Sequence, residues 1–360
     1  MFGLFVQRHA EAAALYNDIS VIYVHPDENV SKYEIVHDND SKDAIHRVST
    51  IRVYYRKSRF KPISLFRFFR ANHLALKRLP KPDIIHVHIL TRLGIIALWH
   101  KTINGTPYII TEHWSRYLPG NDFSGFLRKK LTKTVVKHAS LVTTVTENLA
   151  NAMRNHGLRN KNYMVLPNVV DVDVFDIIPH KNAIPRIIHV SCFEDKSKNI
   201  SGLLNALKLL KDKNIAFEAV LIGEGMDFEA MKQKANDLRL DDCVKFTGML
   251  QGRELVNVMA NGDFLVLSSN YENLPVVILE AFACGLPVVS TNVGGIAEII
   301  NDSNGLLVPS QDHYRLADAM QKMMQTYHNY DANILRDAIT KKFSNESVGK
   351  LLDGIYKKLN

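Results

Sequence analysis

Short apolar runs rich in Val and Ile recur along the 360-residue chain, with helix-length stretches between most of them. In the first half these runs fall at 21–24, 51–55, 84–89, 108–111, 141–145 and 163–166, and helical stretches at 62–79, 91–104, 123–138 and 147–156. Strands buried on both faces need no polar alternation, and β-branched residues suit them. A parallel pair needs a long crossover, usually a helix. The rhythm therefore predicts an α/β chain built on doubly wound parallel sheets. It breaks over 176–185, where Pro179 and Pro185 mark a linker, and then restarts. The second series has runs at 186–191, 217–223, 244–247, 264–267 and 287–290, with a short last one at 306–308. A chain of this length is long for one core. The expectation is an N-terminal domain over 1–175 and a second domain over 183–343. The tail, about 344–360, reads as an amphipathic helix capped by Ser344.

With 46% apolar and 23% charged residues, the chain is of the soluble globular kind. Cys192, Cys243 and Cys284 are odd in number and far apart. They form no disulfide framework and no zinc spacing, which points to a reducing compartment and a cytoplasmic location. The first nine residues lack the basic and long apolar regions of a secretory signal. No apolar run reaches the roughly 18 residues of a membrane span. The net charge of +8 is uneven: residues 1–180 hold 25 Lys and Arg against 15 Asp and Glu, and the rest hold 20 against 22. Much of the excess lies between Arg52 and Lys81, where Arg and Lys alternate with Phe and Tyr. That mixture suits peripheral contact with an anionic membrane, at the inner face of the cytoplasmic membrane, or a lipid-linked substrate. The competing reading is a solvated helix face with its apolar side turned inward. Nucleic acid is the least favoured partner.

The stretch 271–290 reads as turn, short helix, turn and buried strand. Asn273 is expected to cap the helix with Pro275 in its first turn, and Gly285 to close it. Glu272 stands before the helix and Glu280 inside it. Glu280 is surrounded by Val, Ile, Leu, Ala and Phe, so its carboxylate needs hydrogen-bond donors. A ribose diol at the mouth of a cleft would supply them.

Glu272 and Glu280 form an E-x7-E pair, followed by Ala281, Ala283, Gly285, Pro287 and Val288 in register and then by the segment from Thr291 to Glu298 with its Gly294-Gly295 pair. Together these resemble the donor-site signature of glycosyltransferase family 4, retaining enzymes of the GT-B fold. The resemblance extends over nearly the whole chain and is strongest over 186–310. It implies two Rossmann-like domains facing across a cleft, with the terminal helix packing back on the first. It implies a UDP- or GDP-sugar donor, a glycan or lipid-linked acceptor in cell-surface polysaccharide or lipopolysaccharide synthesis, and no separate cofactor. Lys198 resembles the lysine that contacts the donor phosphates, and Glu280 the residue that binds the ribose. Glu272 would face the transferred sugar. The backbone of Asn273 and Leu274 would meet the diphosphate. His113, in Thr111-Glu112-His113, resembles the histidine near donor sugar and acceptor. Gly3 would let backbone approach the phosphates. His86 and His88 read as structural.

Two departures stand out. Cys192 occupies a position where many members carry Arg, and a thiol replaces neither its charge nor its forked donors. The chain also opens on a glycine turn and a helix with no room for a strand before them, so the expectation is an N-terminally short chain whose first, central strand is missing. Asp171-Val172-Asp173 spells D-x-D but lies in the segment closing the first domain, so metal-independent transfer is expected. The rival readings are a GT-B-type sugar-nucleotide epimerase and a truncated, non-catalytic nucleotide-sugar-binding protein.

Overall fold

A computed structural model describes residues 3–39, 48–90, 92–119 and 123–359. Met1, Phe2 and Thr91, which fall at the starts of stretches read above, and the last residue of the tail lie outside them. The N-terminal half runs α1 (Leu4–Ala14), β1 (Ile19–Pro26), β2 (Tyr33–Asn39), β3 (Val48–Tyr55), α2 (Lys61–Leu76), β4 (Ile85–His88), α3 (Leu93–Asn104), β5 (Tyr108–Glu112), α4 (Phe126–His138), β6 (Leu141–Thr144), α5 (Glu147–Asn155) and β7 (Tyr163–Val165). Strands β4 to β7 pair in parallel in chain order. β1 and β3 are parallel, and β2 lies antiparallel on the outer side of β3. Among the described residues no hydrogen-bonded pairing joins these two groups, so the first sheet is interrupted between β1 and β4. β2 was not expected from the sequence. Its mixed run, Tyr-Glu-Ile-Val-His-Asp-Asn, carries too little apolar patterning to read as a strand, and it is stabilised by its place on the sheet edge.

The C-terminal half runs β8 (Arg186–Val190), α6 (Asp195–Lys198), α7 (Ile200–Asp212), β9 (Glu218–Ile222), α8 (Phe228–Asp237), β10 (Val244–Gly248), α9 (Gly252–Ala260), β11 (Phe264–Leu267), α10 (Val276–Ala283), β12 (Val288–Thr291), β13 (Gly305–Val308), α11 (His313–Thr326), α12 (Ala332–Phe343) and α13 (Asn345–Lys357). Its six strands are all parallel in the order β10-β9-β8-β11-β12-β13. That order reverses direction between β8 and β11. Loops leaving two such strands part to opposite faces and leave a crevice at their carboxyl ends, where ligands of open α/β sheets bind.

The tail crosses back onto the first half. Ser344 caps α13 by accepting from the Ser347 amide at 3.2 Å. Val348 and Leu352 are buried against Ala12 and Ala13 of α1 and against Leu166 and Val169. Gly349 permits this approach, since a β-carbon there would lie 2.3 Å from the Ala12 carbonyl oxygen. Arg336 of α12 ties the crossing down by donating to the carbonyls of Val172, Phe175 and Ala283.

Candidate active site

The crevice between β8 and β11 is built by two laced loops. The loop after β8 turns into the single-turn α6 and ends on Asn199, whose left-handed φ of 51° starts α7 on a new axis. The loop after β11 carries Ser268 to Leu274. Ser268 Oγ donates to the Lys198 carbonyl at 2.8 Å, and the Asn270 amide to the Ser197 carbonyl at 2.8 Å. These bonds set Lys198 opposite Glu272, and the two side chains form an ion pair. Ser269 Oγ donates to the same Glu272 oxygen at 2.9 Å. Burial works against the Lys198 ammonium, but the Glu272 carboxylate outweighs it and raises its pKa.

The N-terminal half closes the other side. His113 follows β5, and buried Glu112 fixes its turn. The Glu112 carboxylate accepts from the amides of Leu90, His113 and Trp114 at 2.9 to 3.2 Å. Burial pushes its pKa up, and these bonds oppose that shift. His113 Nε2 lies 3.1 Å from Nδ1 of His88, and its ring packs on Phe5 with centroids 4.3 Å apart. Burial holds the His113 pKa well below its ordinary range, and His9 and His86 add to the effect. The imidazole is therefore neutral at pH 7 and serves as a hydrogen-bond donor or acceptor. Ile89, next to His88, has φ of 64°, a costly conformation for a β-branched residue.

Lys198, Glu272, Asn273, Leu274 and His113 line one cavity of about 300 Å³, together with Cys192, Glu194 and Trp114. Five of the seven residues singled out from the sequence thus come together. Gly3 and Glu280 are not among those lining it. Gly3 precedes α1 with φ of 105°. Glu280 is buried on α10, and its carboxylate accepts from Arg8 Nη2 at 3.0 Å. Burial raises the Glu280 pKa, and Arg8 opposes that shift. The donor expected for this carboxylate is supplied, within the protein, by a guanidinium.

Asn273 does not cap α10. Pro275 takes the N-cap place and no side chain caps the helix. The Asn273 side chain instead crosses the cleft, donating to the His113 carbonyl at 3.0 Å and accepting from Thr146 Oγ1 at 2.8 Å. Nearby, Asn168 Nδ2 donates to the Leu274 carbonyl at 3.2 Å, and Glu298 accepts from the amides of Glu147 and Asn148 at the start of α5. Arg8, Thr146, Asn168 and Ser269 were missed in the sequence. The first three lie over 100 positions from their partners, and no spacing rule reaches that far. Glu112 did leave a signal, a carboxylate at the end of an otherwise apolar strand.

His9, His88 and His113 bring ring nitrogens within 4.8 Å of one another. His9 Nδ1 and Nε2 already face the Phe5 and Pro167 carbonyls at 2.8 and 3.0 Å, and His88 and His113 bond each other. We read the trio as a packed, hydrogen-bonded wall behind the cavity.

The sequence model described as Glycosyltransferase Family 4 matches residues 9–174, and that described as Glycosyl transferases group 1 matches residues 175–341. The chain belongs to glycosyltransferase family 4. This glycosyltransferase is 26% identical over 289 residues to the N-acetyl-alpha-D-glucosaminyl L-malate synthase of Bacillus anthracis, covering 76% of this chain and 74% of that one. It is 24% identical over 345 residues to the putative colanic acid biosynthesis glycosyltransferase WcaL of Escherichia coli, covering 87% and 82%. Its fold matches a sucrose-phosphate synthase from Thermosynechococcus elongatus with a TM-score of 0.81 at 19% identity, over 99% of this chain and 92% of that one. It also matches Anabaena HepE in complex with UDP-glucose, with a TM-score of 0.70 at 18% identity over 85% and 86%. The fold is GT-B, two Rossmann-like domains across a cleft, as expected.

Proposed function

We propose that this glycosyltransferase moves a sugar from a UDP- or GDP-sugar to a glycan or lipid-linked acceptor in cell-surface polysaccharide synthesis, with retention of anomeric configuration. The observation that carries the reading is the Lys198–Glu272 pair at the switch point of the second sheet, facing His113 across one cavity. Lys198 sits where it would meet charge growing on the leaving diphosphate. The start of α10, with the backbone of Asn273 and Leu274, adds positive dipole to the same place. Glu272 is poised to hold the transferred sugar and to stabilise positive charge at its anomeric carbon. Neutral His113 orients a sugar hydroxyl. Glu280 takes the ribose diol. In this reading Lys198 and the helix start do the work that a divalent ion does elsewhere, and no separate cofactor is used.

The colanic acid relative supports a glycan product, and UDP-glucose in the HepE structure supports a nucleotide-sugar donor. Among the described residues no helix is long and apolar enough to cross a membrane. Peripheral contact at the cytoplasmic face is favoured by Phe60 and Phe66, 63% and 67% exposed amid Arg56, Lys57, Arg59, Lys61 and Arg67. Helix α4 adds Phe126, 85% exposed, beside Arg128, Lys129 and Lys130.

The test is a thermal-shift screen with UDP, GDP and their sugars, followed by turnover of the stabilising donor and determination of product anomeric configuration. A bound ligand raises the midpoint by an amount set by its concentration relative to Kd. Stabilisation by one nucleotide family, and its loss in Lys198→Ala, is expected. Absence of a shift with every nucleotide sinks the reading. Release of an epimer from donor alone assigns the site to epimerisation.

A further inference from the structure

Three charged side chains line the cavity: Glu194, Lys198 and Glu272. One cation therefore answers two carboxylates, and Lys198 is already paired with Glu272. A nucleoside diphosphate would bring further negative charge, and Cys192, which lines the same cavity, supplies none.

Arg8 is not among the residues lining this cavity, but it stands on α1, which packs against one of them. Phe5, one helical turn earlier on α1, packs on the His113 ring. Arg8 Nη1 lies 3.4 Å from the Val169 carbonyl, and the neighbouring Asn168 holds the Leu274 carbonyl. Its Nη2 donates to Glu280 at 3.0 Å, and only about a tenth of either side chain is exposed (12% and 10%). A guanidinium has five N–H donors in a planar fork. The bonds to Glu280 and Val169 use two of them. Among the described residues the remaining donors have no protein acceptor.

We propose that Arg8 is the second cation of the donor site, contacting the phosphate nearest the ribose while Glu280 holds the ribose. The inference rests on the donor reading given above. The phosphate and the diol belong to the same sugar, so a side chain touching the carboxylate that binds the diol is within reach of the phosphate. Glu280 then has two tasks: it binds the ribose, and before the donor arrives it balances a cation that would otherwise be buried alone. The charge missing at Cys192 is supplied from the opposite domain, which makes phosphate binding depend on the cleft being closed.

Titration calorimetry with UDP and uridine, or with GDP and guanosine if the guanine series is the one bound, tests this on the intact chain. In Arg8→Gln, diphosphate affinity is expected to fall on the order of 10- to 100-fold, as for a lost charged hydrogen bond. Nucleoside affinity should fall less than about 3-fold on the same grounds. Arg8→Lys, which keeps the charge, should retain most of the preference for the diphosphate. Adding Cys192→Arg to Arg8→Gln should restore it. Equal weakening of nucleoside and diphosphate, as expected if Arg8 only holds Glu280 in place, overturns the proposal, and so does unchanged diphosphate binding. Wild-type protein that binds neither UDP nor GDP overturns the donor reading itself, and this proposal with it.

Discussion

The side-chain amide of Asn273 donates to the carbonyl of His113 across the cleft at 3.0 Å, while its oxygen accepts from Thr146. One side chain thus joins the turn before α10 to two segments of the other domain. Replacing it with Ala removes two hydrogen bonds of about 1 kcal/mol each and leaves the buried Thr146 hydroxyl, which still accepts from the Leu149 amide, without an acceptor for its own proton. Asn273→Ala should therefore lower unfolding free energy by about 2 kcal/mol. It should lower turnover more than donor affinity, because one of the bonds holds the turn that carries His113. Denaturant unfolding and steady-state kinetics on one preparation check both. Unchanged turnover would mean that this bridge has no part in positioning His113.

Lys198 and Glu272 lie on opposite sides of the switch point, and each is mostly buried (19% and 13% exposed). Removing the lysine leaves a carboxylate facing the incoming diphosphate. Lys198→Ala should cut turnover by about 10² or more, the scale of one lost charge-stabilising donor. Glu272→Gln keeps an acceptor for Lys198 and Ser269 but loses the charge, so diphosphate affinity should hold or rise while turnover falls. Donor binding and turnover, measured separately, decide the point. A Glu272→Gln variant with full turnover would remove Glu272 from the chemistry.

The parallel strands of both halves were legible, though antiparallel β2 was not, because buried parallel strands are written as continuous apolar runs rich in β-branched residues. The run Pro287 to Ser290 is an example, becoming Val288–Thr291 of β12. The loop residues Lys198, Glu272 and His113 were legible because their segments are local. The pairing of Arg8 with Glu280 was not, since its partners are 272 positions apart, one in each domain. The role of Asn273 was misread for a related reason. Local rules favour a cap at a turn before a helix, but two partners across the cleft compete for the same amide and win.

Gly294, in the loop after β12, has no room for a side chain. Its φ is 60°, and a β-carbon there would lie 1.8 Å from the Glu272 carbonyl oxygen. The next amide, of Gly295, donates to the Asn273 carbonyl at 2.8 Å. Gly294→Ala must push this loop away from the turn that carries Glu272. The strained backbone alone costs on the order of 1–3 kcal/mol. The variant should lose most of its nucleotide-induced thermal shift while still folding. A full nucleotide shift in Gly294→Ala would show that the turn tolerates the displacement.

Two buried histidines should make this fold lose stability as pH falls below about 6.5. His86 is bonded to Tyr356 and Thr111, and burial pushes its pKa down to about 3. His189 is bonded to the Val266 carbonyl and to Ser191, and burial pushes its pKa down to about 4. An unfolded chain protonates both near pH 6.5. Between that pH and the folded values the unfolded state binds more protons, so stability is full above about pH 6.5 and falls as pH drops. Each histidine contributes a slope of at most about 1.4 kcal/mol per pH unit. His86→Gln can keep both hydrogen bonds without a titrating ring. It should flatten the fall between pH 6 and pH 4 by about that slope. Urea unfolding of both proteins across this range measures the difference. Parallel curves would mean that His86 takes up its proton in the folded state, and that the link between the α13 tail and β4 adapts to the charge.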